Sequence, residues 1–107
     1  MSPVSYQILL SLAVNARHGY LIRKAVEQQT DGEIKLGPGT VYAAIRRLED
    51  EGLIEESPTR PHADLDDERR RYYRLTRTGR DALRAETERL SATVAFAFKQ
   101  LKVRPSH

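Results

Sequence analysis

The sequence predicts a mainly α-helical fold with a small β-hairpin wing, a winged helix-turn-helix followed by a long C-terminal helix. Three observations predict it. Three apolar segments with helical spacing lie before residue 52, and two strand-like runs, 53–57 and 71–75, flank a polar connector. In the closing stretch Leu83, Thr87, Leu90, Val94, Ala97 and Leu101 recur in alternating steps of four and three.

Ser2-Pro3 reads as an N-cap and a first-turn proline, and Val4, Ile8, Leu9, Leu12, Ala13 and Ala16 repeat at three- and four-residue spacing. Helix one is therefore expected from Pro3 to Ala16. After a break at residues 15–19, Tyr20, Ile22, Ala25 and Val26, with Gln29 at the margin, form a shorter amphipathic helix that ends before Asp31-Gly32. Ile34-Lys35-Leu36 reads as a brief extended strand closed by Gly37-Pro38-Gly39, because a residue before proline is pushed out of helical geometry. Helix three follows, with Thr40, Val41, Ala44, Ile45 and Leu48 as its buried stripe and Gly52 as its stop. Leu53 to Ser57 and Arg71 to Leu75 are the strands of the wing, with Tyr73 and Leu75 on one face. The connector between them, with two prolines, is too long for a tight turn. Thr76-Arg77-Thr78-Gly79 caps the last helix. Residues 1–78 are expected to form the winged helix-turn-helix and residues 79–107 a C-terminal dimerisation helix of the same compact domain.

Size and composition agree. A chain of 107 residues with 39% apolar residues builds one modest core. With no cysteine there are no disulfides or thiolate metal sites. The uncharged run from Met1 to Ala16 is too polar and too short for a membrane span, and no basic leader precedes it, so a soluble, cytoplasmic protein with no membrane partner is expected. The net charge of +3 permits an anionic partner without demanding one. Its distribution is uneven: Arg69, Arg70, Arg71, Arg74, Arg77 and Arg80 crowd one stretch, while Glu49, Asp50, Glu51, Glu55 and Glu56 crowd another.

Enzymatic readings find no support. His18, His62 and His107 lack metal-ligand spacing, and Gly37-Pro38-Gly39-Thr40 lacks the lysine of a nucleotide-binding loop. Asp64, Asp66, Asp67 and Glu68 lack the glycine and terminal ligand of a calcium loop. No catalytic residue, metal or cofactor is expected.

Four segments, in order, carry a resemblance: His18-Gly19-Tyr20-Leu21-Ile22, Gly37-Pro38-Gly39-Thr40-Val41-Tyr42, Ile45 through Ile54, and Arg71 through Gly79. Together they resemble the PadR family from about residue 6 to residue 85, in the subgroup with a single C-terminal dimerising helix. Two departures are Val41 for the commoner leucine and a Pro-His-Ala-Asp wing in place of a glycine-rich one. The resemblance implies a transcriptional repressor that binds double-stranded DNA as a homodimer. It also assigns Tyr42 a phosphate or groove contact and places Tyr20 at the family's Gly-Tyr position, where it touches phosphate or packs in the core.

In such a domain helix three enters the major groove. Its start, Pro38-Gly39-Thr40, places free backbone N–H groups and a hydroxyl where a phosphate can be received, unless Thr40 only caps and Tyr42 only packs. Arg46 shares the face of Tyr42 and can bind guanine bidentately. Arg47, about 100° round the helix, reaches DNA or pairs with Glu51. Lys35, before the turn, is a phosphate candidate, as are Arg60, His62 and Arg70 in the wing; alternation prevents Arg69 and Arg71 from sharing the face of Arg70. The dimer seam is expected at Leu83, Leu90, Val94, Ala97 and Leu101, the alternative being a stripe folded back on helix one. A small hydrophobic or aromatic effector, if one exists, is expected near that seam against Phe96 or Phe98, which otherwise serve as core. The rival to DNA binding is a winged-helix protein-interaction module.

Overall fold

In the computed structural model, which describes residues 1–60 and 70–104, the first helix begins where Ser2 and Pro3 dictate and ends earlier than its apolar spacing predicts. α1 (Pro3–Ser11) is capped by Ser2, whose hydroxyl accepts from the Ser5 backbone N–H at 3.1 Å. The expected continuation to Ala16 does not form. Arg17 Nε donates to the Ser11 carbonyl at 2.7 Å and Arg80 Nη2 to the Ala13 carbonyl at 3.1 Å, so acceptors that further helical turns would use go to guanidinium donors. The chain released by this early stop forms β1 (Arg17–His18), a strand the sequence reading does not contain.

His18 then caps α2 (Gly19–Gln29), its Nδ1 accepting from the Leu21 N–H at 3.3 Å. Ile22, Ala25 and Val26 form the buried stripe, whereas Tyr20 and Gln29, counted with them from the sequence, are exposed. Gln29 reaches across to the Gln7 carbonyl at 3.1 Å. The expected strand at Ile34-Lys35-Leu36 is a connecting segment outside the sheet; a left-handed turn at Asp31 (φ 50°) and Gly32 (φ 80°) leads into it.

α3 (Pro38–Asp50) buries Val41, Ala44, Ile45 and Leu48, but Thr40, expected on that stripe, is exposed. Gly52 ends the helix region at φ 76°, a conformation in which a side chain would be strained. β2 (Ile54–Glu56) and β3 (Tyr72–Leu75) pair antiparallel with Glu55 opposite Arg74, and β1 adds to the other edge of β3 with His18 opposite Tyr72. The sheet order is thus β1-β3-β2. Thr76 starts α4 (Arg77–Leu101) by accepting from the Gly79 N–H at 2.9 Å and donating to the Gly52 carbonyl at 2.6 Å. The helix begins two residues before the boundary expected at residue 79.

One core unites these elements: Ile8, Leu9 and Leu12 of the first segment, Ile22 and Val26, the α3 stripe, Ile54, Tyr73, Leu75, and Leu83 from the start of α4. Tyr6 and Thr87, hydroxyl to hydroxyl at 2.8 Å, tie α1 to α4 near the edge of this core. Beyond Leu90, α4 leaves the body of the domain with every residue exposed except Phe98, which is half-buried.

Candidate nucleic-acid interface

The packing of α3 decides which of its side chains can meet a partner. With Val41, Ala44, Ile45 and Leu48 turned inward, rotation of about 100° per residue puts Gly39, Ala43, Arg46 and Asp50 along the middle of the outward face. Tyr42 and Glu49 flank it on one side, Thr40 and Arg47 on the other. The basic and small residues therefore occupy the first turns, and the carboxylates of Glu49 and Asp50 the last. The helix starts on Gly37 with no side-chain cap, so its first N–H groups have no side-chain acceptor. Thr40 therefore does not cap, and its hydroxyl stands on the surface. A polyanion is best received at this end, where the helix dipole is positive.

Tyr42 is 43% exposed, which answers the choice between packing and presentation with both. Its ring tip lies on the start of α2: a Cβ on Gly19 would stand 2.7 Å from Tyr42 Cζ and Oη. Glycine at 19 is what lets the phenol lie there. Next to it Tyr20 is 45% exposed, so it is a surface tyrosine and not a core one. Lys24 Nζ stands 5.7 Å from the Tyr20 ring centroid and Arg70 Cζ 5.6 Å from it.

The wing root is joined to this surface through His18. Its ring stacks 6.2 Å from Tyr20, meets Tyr72 edge-on at 5.1 Å, and holds Nε2 3.3 Å from Arg70 Nη1. Arg60 lies 5.5 Å over the Tyr72 ring. Strand alternation places Tyr73 and Leu75 on the core face; Tyr72 is buried as well, on the opposite face beneath His18 and Arg60. Arg70 thus comes together with Tyr20 and Arg60 with Tyr72, whereas His62, also expected in the wing interface, lies outside the described residues, as does Arg69. Arg74, from the same basic run, pairs with Glu55 at 2.8 Å across the strands.

Lys35 is exposed on the segment before α3 and shares a groove with Tyr20, Arg23, Lys24, Glu27 and Leu36. Arg23 is spent within the fold, Nε donating to the Leu36 carbonyl at 2.8 Å and so fixing the approach to α3. Arg23 and Lys24 escaped the sequence reading, although Lys24 is four residues beyond Tyr20 on the same helix face. Arg47 stands apart from this surface, beside Ser2, Val4 and Thr40, with Nε 3.9 Å from Glu51.

On α4, Leu83 is only 7% exposed because its own chain's core encloses it. Leu90 is half-buried, while Val94, Ala97 and Leu101 are exposed. Phe96 is 61% exposed and Phe98 half-buried beside Ala95, Lys99 and Lys102. Neither phenylalanine belongs to the core. Among the described residues no group of His, Asp or Glu is placed to hold a metal ion.

Known proteins share both the sequence pattern and the fold. The model of the transcriptional regulator PadR-like family matches residues 8–85. An uncharacterized 37.1 kDa protein in transposon TN4556 of Streptomyces fradiae is 36% identical over 92 residues, which are 86% of this chain and 24% of that protein. The chain thus spans about a quarter of that relative's length. Among solved structures, a PadR family transcription regulator from a hypervirulent Clostridium difficile matches at 26% identity and TM-score 0.73, over 94% of this chain and 98% of its own. Bacillus subtilis PadR in complex with operator DNA shares the fold at 22% identity and TM-score 0.66, over 81% of this chain and 48% of its own.

Proposed function

This chain belongs to the PadR-like family of transcriptional regulators, and from that premise we propose that it is a repressor that binds a palindromic double-stranded DNA operator as a homodimer. One observation carries the reading. The uncapped first turns of α3 stand at the surface with Arg46 outward, beside two exposed tyrosines and the basic side chains Lys24, Lys35 and Arg70.

Each part has a physical role in that reading. The N–H groups of Gly39 and Thr40, in the turn that Pro38 opens, and the Thr40 hydroxyl receive a phosphate at the positive end of the helix. Arg46 enters the major groove and reads a guanine through O6 and N7. Tyr42, braced on Gly19, and Tyr20 donate hydroxyls to the backbone. Arg60, His62 and Arg70 follow the phosphates with the wing, and such contacts set register without reading sequence. Arg47 is the least engaged of the set, being turned toward α1. Val94, Ala97 and Leu101, with Leu90 at the edge of the domain, form the seam between copies, because an isolated helix with an apolar stripe gains little until the stripe is covered. A hydrophobic or aromatic effector would lie against Phe96 or Phe98 beside that seam. No helix among the described residues is long and apolar enough to cross a membrane, and a cytoplasmic location is part of the proposal.

Titration with duplex DNA at physiological salt against a polyanion competitor tests the reading. Binding to a selected duplex should survive competitor that strips a scrambled duplex. Equal loss on both duplexes would leave only charge attraction and refute an operator-binding role.

A further inference from the structure

We propose that the groove between α2 and the turn into α3 is a phosphodiester site, in which Lys24, facing Lys35, holds the DNA backbone strand that runs beside α3. The inference rests on the DNA-binding reading above and adds a contact and a path for the strand. Lys24 Nζ is placed over the Tyr20 ring, 5.7 Å from its centroid, and among the described residues it forms no ion pair. Arg70 brings a second cation to 5.6 Å from the same centroid. Lys24 and Lys35 line one groove, and an anion seated in it is attracted by both.

The groove also has a built floor. Arg23 Nε holds the Leu36 carbonyl at 2.8 Å, which fixes the segment carrying Lys35 against α2. The groove opens at Leu36, one residue before the N-cap of α3, so a strand lying in it continues to the uncapped N–H groups of that helix. A lysine ammonium is a compact, strongly hydrated point charge with three donors, suited to a phosphate oxygen approached from variable directions. Among the described residues Glu27 is the one carboxylate lining the groove. It opposes the two lysines and keeps the site from holding anions without the rest of the interface.

The test uses the full chain, a duplex recovered by selection from a random pool, and a scrambled duplex, each titrated at several salt concentrations. Lys24→Gln should weaken both duplexes equally and lower the magnitude of the salt slope by about 0.9, one phosphate contact. Between 50 and 200 mM salt the variant should then lose about three- to fourfold less affinity than the parent. Arg84→Gln removes the same charge from an exposed position on α4 and should leave the slope unchanged. Glu27→Gln should act in the opposite direction, tightening both duplexes. The inference is overturned if Lys24→Gln matches Arg84→Gln, if its loss is confined to the selected duplex, or if Glu27→Gln fails to tighten binding. In those cases the parent's preference for the selected duplex still stands. If the parent itself shows no preference, the functional reading fails and this inference with it.

Discussion

Gly19→Ala adds a single methyl group at the start of α2, and the structure says that DNA binding should notice it more than stability does. The new Cβ would lie 2.7 Å from Tyr42 Cζ and Oη and 2.8 Å from Cε1. Carbon atoms settle at about 3.5–4.0 Å, so the ring must retreat by about 1 Å. The atoms it meets are the far end of a half-exposed side chain, and a rotation of about 10° supplies that distance at a cost below about 0.5 kcal/mol. Alanine recovers about 0.4–1 kcal/mol by restricting the unfolded chain, so the net change in stability should be near zero. The Tyr42 hydroxyl, however, leaves the place that the proposed DNA interface gives it, and losing one hydrogen bond costs about 0.5–1.5 kcal/mol, up to roughly tenfold in affinity. Thermal denaturation and duplex titration of Gly19→Ala, Tyr42→Ala and the double variant separate the two effects. The methyl should cost nothing further once Tyr42 is alanine. An unfolded Gly19→Ala protein, or an equal loss of affinity in both backgrounds, would refute the account, the latter by showing that the methyl meets the DNA and not the ring.

Other consequences follow from different parts of the molecule. Gly79→Ala should be destabilising by about 1–3 kcal/mol or more, read as a lowered Tm, because its Cβ would run into the Leu53 backbone carbonyl, which cannot swing aside; an unchanged Tm would show that α4 is not seated so closely. Burial holds the Tyr73 phenol above its ordinary pKa of 10.0, with Glu49 adding to the shift and Arg71 opposing it. Its contribution to stability should therefore be complete below pH about 10 and lost as pH rises through the native value, so Tyr73→Phe should flatten alkaline unfolding; an unaltered alkaline limb would assign it to other groups. Leu90→Asp should shift micromolar protein toward monomer in sedimentation, and a monomeric parent would remove the dimer seam altogether.

Local signals in the sequence located most of the fold, and what they missed depends on distant residues. Ser2-Pro3, Thr76 and Gly52 announce helix ends by their own chemistry, and each does so in the structure. The stop of α1 at Ser11 is different, because Arg80, 67 residues beyond Ala13, takes a carbonyl that the longer helix would have used. β1 has two residues, too few to display alternation, and it forms because Tyr72 and Tyr73 offer it a free edge of β3. Spacing alone puts Tyr20 on the apolar stripe of α2, yet it sits in the first turn, where the surface is reached before the core. For the interface, Tyr42 and Arg46 were legible as one helix face. Lys24 lies outside the basic run of residues 69–80, and its place four residues after Tyr20 is the signal that the sequence offers for it. The steric need for Gly19 could not be read at all, since it depends on a tyrosine 23 positions later in the chain.

Selection of bound duplexes from a random pool, followed by the mass of the purified complex, bears most directly on the claim that this chain reads an operator as a dimer. The account predicts a consensus with two-fold symmetry, half-sites about one helical turn or a multiple of it apart, and two chains on each duplex. Recovered duplexes with no sequence in common, or an asymmetric site carrying a single chain, would contradict it.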